Sequence, residues 1–247
     1  MDLKEFFQIN NKVALGFSGG VDSSYLLYAA KKYGADVKAY YINSQFQPAF
    51  ELEDALRVVG ELDASIKVIN CDILENLEVV SNPNNRCYHC KKAIFGALQK
   101  QAFADGYRTI IDGTNASDQV SDRPGMLALT EMEVKSPLRE CGITKDKVRE
   151  LSKDAGLFTW NKPAYACLAT RIPTGMEITF DLLEKIEKSE KTLVDMGLSD
   201  IRVRIIENGC KLQVPDTQIE SVIKNRRIIL EKLKHEFDFV LLDLEGR

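Results

Sequence analysis

The run Val13-Ala14-Leu15-Gly16-Phe17, followed at once by Ser18-Gly19-Gly20-Val21-Asp22-Ser23-Ser24, constrains this chain more than any other segment. Uninterrupted small and apolar residues predict a strand covered on both faces, and the amphipathic stretch 23–32 predicts a helix directly behind it. A strand feeding a helix through a tight glycine turn opens a parallel sheet, because a parallel neighbour can be reached only by a crossover. The pattern then repeats. Strands are predicted at 37–42, 66–69 and 109–111, and helices at 50–62 and 91–104, which together read as an α/β, doubly wound parallel sheet. Ligands bind such sheets outside the carboxyl ends of the strands, here just after Phe17, Ile42 and Ile111.

A loop-rich passage from Asn161-Lys162-Pro163 to Ile172-Pro173-Thr174-Gly175 marks a boundary. It separates a main domain, 1–175, from a small α+β domain, 176–247. The second has predicted helices at 180–196 and 219–233 and strands at 201–205, 211–214 and 239–242. With 247 residues, 45% of them hydrophobic, the chain can bury one substantial core and a smaller second one. A net charge of -4 lacks the basic footprint of a nucleic-acid binder and favours a small substrate. There is no apolar run of membrane-spanning length and no basic-then-apolar start, so a cytoplasmic protein is expected.

The glycine turn carries the first chemistry. Gly19 and Gly20 let backbone N–H groups close on an anion at a helix N-terminus, and Ser18, Ser23 or Ser24 can add hydroxyl donors. The segment lacks the Gly-Lys-Ser/Thr ending of a Walker A loop, so a γ-phosphate kinase is not the first expectation. Asp22 is suited to hold Mg²⁺ against phosphates. A second segment, Asp112-Gly113-Thr114-Asn115-Ala116-Ser117-Asp118, follows a strand and faces the same crevice, which makes Thr114, Asn115 and Asp118 contacts for nucleotide or activated substrate.

Six cysteines in a reducing compartment are better read as metal ligands, redox groups or nucleophiles than as disulfides. Cys87-Tyr88-His89-Cys90 puts two thiols on one side if a helix starts there, with Arg86, Lys91 and Lys92 beside them. The pair suits a shared metal, a redox dithiol, half a zinc site, or two unconnected cysteines. Cys167 lies in a loop, Cys167-Leu168-Ala169-Thr170-Arg171-Ile172-Pro173, beside an arginine. Cys71, Cys141 and Cys210 read as packing residues.

Ser18 to Ser24 resembles the PP-loop of the N-type ATP pyrophosphatases, which cleave ATP between the α- and β-phosphates. Together with the Asp-Gly-Thr-Asn segment, Arg123-Pro124-Gly125 and Cys-Leu-Ala-Thr-Arg-Ile-Pro, nearly the whole chain resembles the LarE family of sulfur transferases. The resemblance implies ATP and Mg²⁺ as cofactors and a pyridinium dicarboxylate mononucleotide as substrate, a carboxylate of which is adenylated and converted to a thiocarboxylate for a nickel-pincer cofactor. It implies catalytic roles for Asp22, Asp118, Cys167 and Arg171. One form of the family sacrifices the sulfur of the cysteine matching Cys167. A three-cysteine form carries a [4Fe–4S] cluster, which here implies ligation by Cys87, Cys90 and Cys167, with sulfide or another donor supplying sulfur. Arg202 and Arg204, alternating along a predicted strand, would by this resemblance grip the substrate phosphate, joined by Arg171. Glu190 matches a metal-binding carboxylate, but Gln213 stands where a second acid is expected. A homo-oligomer is implied as well. The rivals are a tRNA thiolase with the same ATP chemistry and a non-catalytic nucleotide or metal sensor.

Overall fold

Val13, Leu15 and Phe17 pack into one hydrophobic cluster and Ala14 into another, so the first strand is buried on both faces. In the computed structural model, which describes residues 1–118 and 124–247, β1 (Lys12–Gly16) sits in a parallel sheet with β2 (Asp36–Asn43), β3 (Ser65–Asn70) and β4 (Thr109–Ile111). The strand order is β3-β2-β1-β4, with Lys12 opposite Asp36 and Val13 opposite Thr109. Helices α1 (Leu3–Ile9), α2 (Val21–Lys32) and α3 (Ala49–Glu61) contribute to the cluster on one face. A short helix α4 (Leu77–Val80) is followed by α5 (Arg86–Ala104) and α6 (Pro124–Glu131), which contribute Phe95, Leu98, Ala102 and Leu129 to the opposite face. Then α7 (Pro137–Glu140) and α8 (Lys145–Asp154) return to the first face through Leu138 and Val148. The doubly wound parallel sheet is therefore present. Its order reverses at β1, flanked by β2 on one side and β4 on the other, which places the ligand crevice at the carboxyl ends of β1 and β4.

The chain divides into two units, Met1–Ile73 with Asn85–Ala164 and Leu74–Asn84 with Tyr165–Arg247. In the second, α9 (Phe180–Asp195) precedes β5 (Arg202–Ile206) and β6 (Gly209–Gln213), which pair antiparallel, and β7 (Val240–Leu242) adds to β6 in parallel. The single helix expected at 219–233 is instead two, α10 (Asp216–Lys224) and α11 (Arg226–Leu233). Asn225 separates them, its side-chain amide donating to the Ser221 carbonyl at 2.9 Å, a local bond that competes with helix continuation. Asn82 is fully buried with positive φ, and its amide donates to the carbonyls of Pro173 at 2.8 Å and Met176 at 3.1 Å, tying 74–84 to the 172–178 loop. No helix among the described residues is long and apolar enough to cross a membrane.

One ionic cluster braces the first unit. Asp105 caps the carboxyl end of α5, where the helix dipole disfavours a carboxylate. It is held there by Lys38 at 2.7 Å, Tyr40 at 2.9 Å, Lys67 at 3.2 Å and Gln101 at 3.0 Å. The bond from Lys38, foremost, keeps its carboxyl well below the usual carboxylate range. The stabilisation is thus complete above the ordinary carboxyl pKa and is lost as pH falls through the depressed value. Asp105→Asn should lower Tm by a few degrees near pH 7, and the gap to wild type should narrow on acidification when thermal unfolding is followed across pH.

Candidate functional site

The turn after β1 is shaped by close approach. Gly19 has φ +70°, and a Cβ there would lie 2.9 Å from Ala55 Cα, so both conformation and space demand glycine. Gly20 caps α2 with no side-chain hydrogen bond, and the first N–H to find an acceptor inside the helix is that of Ser24, on Gly20 O at 3.0 Å. The N–H groups of Val21, Asp22 and Ser23 therefore form an uncapped helix start facing the crevice, a ready anion site. Ser23 Oγ donates to Gly20 O at 3.2 Å and accepts from Ser18 N at 3.4 Å, which closes the loop on itself. Ser24 is fully buried, and its hydroxyl finds no hydrogen-bond partner among the described residues. Ser18 is exposed and carries the loop's accessible hydroxyl.

The segment after β4 meets this turn directly. A Cβ on Gly113 would lie 3.0 Å from Ser23 N and 3.3 Å from Asp22 Cβ, so glycine lets the two segments touch. Asp112 fixes the bend by accepting from Ser136 Oγ at 2.7 Å, Thr114 N at 3.2 Å and Thr114 Oγ1. Asn115, 3% exposed, donates from Nδ2 to Asp22 Oδ1 at 3.2 Å, and its own N–H donates to Asp118 Oδ2 at 3.1 Å. Asp118 and Asn115 thus hold the loop, and Asn115 reaches the PP-loop acid.

Lys145 was invisible to the sequence reading. It is the first residue of α8, and its Nζ pairs with Asp22 Oδ2, while its N–H donates to Ser117 Oγ at 3.0 Å. A cation at a helix N-terminus opposes the dipole. Asp22 is therefore held between a cation and an amide at the mouth of the open helix start.

Helix α5 begins at Arg86, five residues before the expected 91, and so places Cys87 and Cys90 within it, one turn apart and spaced to share a side. Cys87 is exposed and Cys90 half-buried. Gly125 brings α6 against this turn, since a Cβ there would meet Lys91 Cγ at 3.3 Å and Cys87 O at 3.5 Å. Of the basic residues expected to favour thiolates, Lys92 is committed to Glu131 at 2.6 Å and Lys91 lies over the Phe95 ring. Arg123 lies outside the described residues. None of the six cysteines is in a disulfide, and burial pushes the thiols of Cys71 and Cys141 up and that of Cys210 up to about 12, as packing residues require.

Cys167 belongs to the second unit, half-buried at the start of a 3-10 turn, Leu168–Arg171. Arg171 is 1% exposed and paired with Glu190 at 2.9 Å. Arg202 and Arg204 share a face of β5 as expected, but that face is covered. Arg202 is 2% exposed, lies 4.7 Å from the Tyr165 ring centre and donates to Ile201 O at 2.7 Å. Arg204 donates to Thr170 O at 2.7 Å and to Gln213. Burial first, and then the charges of Arg171 and Arg247, hold the Arg202 guanidinium down to about 10 and lower that of Arg204. Gln213, where an acid was expected, passes its amide to Asp243 at 2.7 Å. Among the described residues no group of three or more His, Cys, Asp or Glu is placed to hold a metal ion. Two thiols one turn apart on α5 fit part of a cluster site.

The chain is similar to known proteins along most of its length. The family model described as NAD synthase matches residues 5–111, which span the PP-loop and the whole parallel sheet. The pyridinium-3,5-bisthiocarboxylic acid mononucleotide synthase of Lactiplantibacillus plantarum is 30% identical over 95% of this chain and 86% of its own length. A Synechocystis protein described without an activity is 34% identical over 99% of this chain and 93% of its own. A tRNA-specific 2-thiouridylase of Clostridium acetobutylicum is 28% identical, over 62% of this chain and 54% of its own length.

Proposed function

The chain belongs to the LarE family of ATP-dependent sulfur transferases, and from that premise we propose that it adenylates a carboxylate of pyridinium-3,5-biscarboxylic acid mononucleotide and converts it to a thiocarboxylate. The observation that carries this reading is the Asp22–Lys145–Asn115 cluster at an uncapped helix start, set at the reversal point of the sheet. Phosphates of ATP would take the N–H groups of 21–23 and the Ser18 hydroxyl, Asp22 offers the hard oxygen that Mg²⁺ prefers, and Lys145 balances the charge.

The chemistry balances in two steps. A carboxylate oxygen attacks the α-phosphorus, the α–β anhydride bond breaks, and pyrophosphate leaves. A sulfur nucleophile then attacks the acyl carbon, and AMP leaves with the electron pair of the C–O bond. Activation is needed because a carboxylate is a poor acyl donor, whereas AMP is a good leaving group. Burial foremost, and after it the charges of Arg171 and Arg247, lowers Arg202 and Arg204; the charge part of that effect supports a role in receiving the substrate's phosphate, since an anion relieves the repulsion.

For the sulfur we propose that Cys87, Cys90 and Cys167 are ligands of a [4Fe–4S] cluster, which when bound would supply exchangeable sulfide. A second reading has a specific observation in its favour: the carbonyl of Cys167 is held by Arg171 and Thr170, which pins the residue in place as a donor. In that reading Cys167 itself attacks the acyl-adenylate, its Cα proton is lost to a base, and its Cβ–S bond breaks to leave dehydroalanine.

The test is iron and acid-labile sulfide after anaerobic reconstitution, with thiocarboxylate formation from ATP, Mg²⁺ and the pyridinium mononucleotide measured alongside, for wild type and Cys87→Ala. About four irons per chain in the wild type, lost in the variant together with multiple turnover, is expected. No iron in either, with one turnover and loss of the mass of H₂S from the Cys167 peptide, would replace the cluster by the sacrificial route. ATP cleavage stimulated by tRNA and not by the mononucleotide would overturn the substrate.

A further inference from the structure

Glu190 projects from α9 into the second unit and is 4% exposed. Its Oε1 accepts from Arg171 Nε at 2.9 Å and from Val203 N at 2.9 Å, and its Oε2 accepts from Arg171 Nη2 at 3.1 Å and from the Tyr165 hydroxyl. A carboxylate offers about four lone-pair positions, and here each oxygen already takes two donors. The metal role that the resemblance attaches to this position does not fit. Nor is stability a sufficient account, because burying an ion pair costs several kcal/mol per ion and often only breaks even.

The remaining edge of Arg171 gives the pair another task. Nη1 donates to Ala166 O at 2.6 Å, Cys167 O at 3.2 Å and Thr170 Oγ1 at 2.9 Å. The Cys167 carbonyl also accepts from Thr170 N at 3.0 Å and Thr170 Oγ1 at 2.8 Å. Arg204 donates to Thr170 O at 2.7 Å, and is itself held through Gln213 to Asp243 and so to Lys211, at 2.7 Å. The Tyr165 ring lies 4.6 Å from the Arg171 guanidinium and 4.7 Å from that of Arg202, fixing their planes. Arg171, held by Glu190, and Arg204, held through Gln213, therefore converge on one turn, 166–170, which carries Cys167.

We infer that Glu190 is a positioning residue for Cys167: by orienting the Arg171 guanidinium it sets the backbone, and hence the sulfur, of residue 167. The inference rests on the reading of Cys167 as the sulfur-handling residue. Transfer to an acyl carbon needs the reacting atoms within about 3–3.5 Å, and an error of about 1 Å costs on the order of a hundredfold, so a pinned backbone matters more here than at an ordinary loop.

The test uses the protein without ATP or substrate, so that a failure of the proposed activity cannot be confused with a failure of the positioning role. The rate of Cys167 alkylation by iodoacetamide is read by peptide mass spectrometry, with buried Cys210 as internal control, next to Tm, in wild type, Glu190→Gln and the double variant Arg171→Met/Glu190→Leu. Glu190→Gln leaves a buried cation without its counter-ion and should lower Tm, whereas the double variant removes both charges and should restore it. Cys167 should be alkylated about tenfold faster in both, because local opening of its turn tracks the lost Arg171 contacts rather than global stability. A double variant that restores the wild-type alkylation rate together with Tm would overturn the inference, as would an unchanged rate in Glu190→Gln. Should Glu190→Gln not fold, the double variant alone decides between these outcomes.

Discussion

Cys167→Ala is expected to reduce thiocarboxylate formation more than about 10³-fold while ATP continues to be cleaved to AMP and pyrophosphate in the presence of the carboxylate substrate. The asymmetry follows from where the parts lie. On the proposed reading, adenylation draws on the PP-loop, Asn115 and Lys145 in the first unit, whereas Cys167 belongs to the second. Truncation to alanine deletes only Sγ. The bonds from Arg171 and Thr170 to residue 167 are made to its carbonyl, and φ -55° with ψ 149° suits alanine as well as cysteine, so the turn should survive. Both sources of sulfur require this thiol, one as ligand and the other as donor, so the prediction does not depend on choosing between them. Pyrophosphate release and product mass, measured on the same reaction, provide the check. Wild-type thiocarboxylate yield from Cys167→Ala would remove residue 167 from the chemistry altogether.

The parallel sheet was legible because β1, β2 and β4 are covered on both faces and so read as largely apolar runs, and because Gly19 and Gly20 punctuate the first crossover. Strand β4 was found at its observed bounds, and the start of α5 was missed. Arg86 to Lys92 is polar, and what makes it helical is packing of α6 through Gly125, with Glu131 tied to Tyr88 and Lys92. Such tertiary support leaves no local pattern. The same holds at the site. Asp22 and Asn115 lie in motifs that announce a ligand, whereas Lys145 contributes by spatial closeness alone, 123 residues from its partner. Glu190 shows the converse: the resemblance attached a metal to it, and only coordinates reveal that Arg171, Tyr165 and Val203 already occupy its oxygens. A single sequence records which residues are present, but not which neighbours have already used their lone pairs.

Asp22→Asn should slow pyrophosphate release by about 10²- to 10³-fold and abolish its dependence on Mg²⁺ concentration, with Tm close to wild type. An asparagine at 22 can still accept the Asn115 amide through its own carbonyl, so the contact that joins the PP-loop to the 112–118 segment is kept. What is lost is the charge that draws a divalent cation to the phosphates, and a neutral amide is a poor ligand for Mg²⁺. Lys145→Met acts on the other half of the pair and should behave differently. Asp22 then stands without its cation and repels the incoming polyphosphate, so the KM for ATP should rise about tenfold while the Mg²⁺ dependence persists, because the metal can take over the charge balance that lysine supplied. Steady-state kinetics across ATP and Mg²⁺ concentrations separate the two variants. If Asp22→Asn kept more than about a tenth of the rate, the acid would be a brace for the loop and not a ligand of the reacting nucleotide. The uncapped start of α2 would then have to carry the phosphates without it.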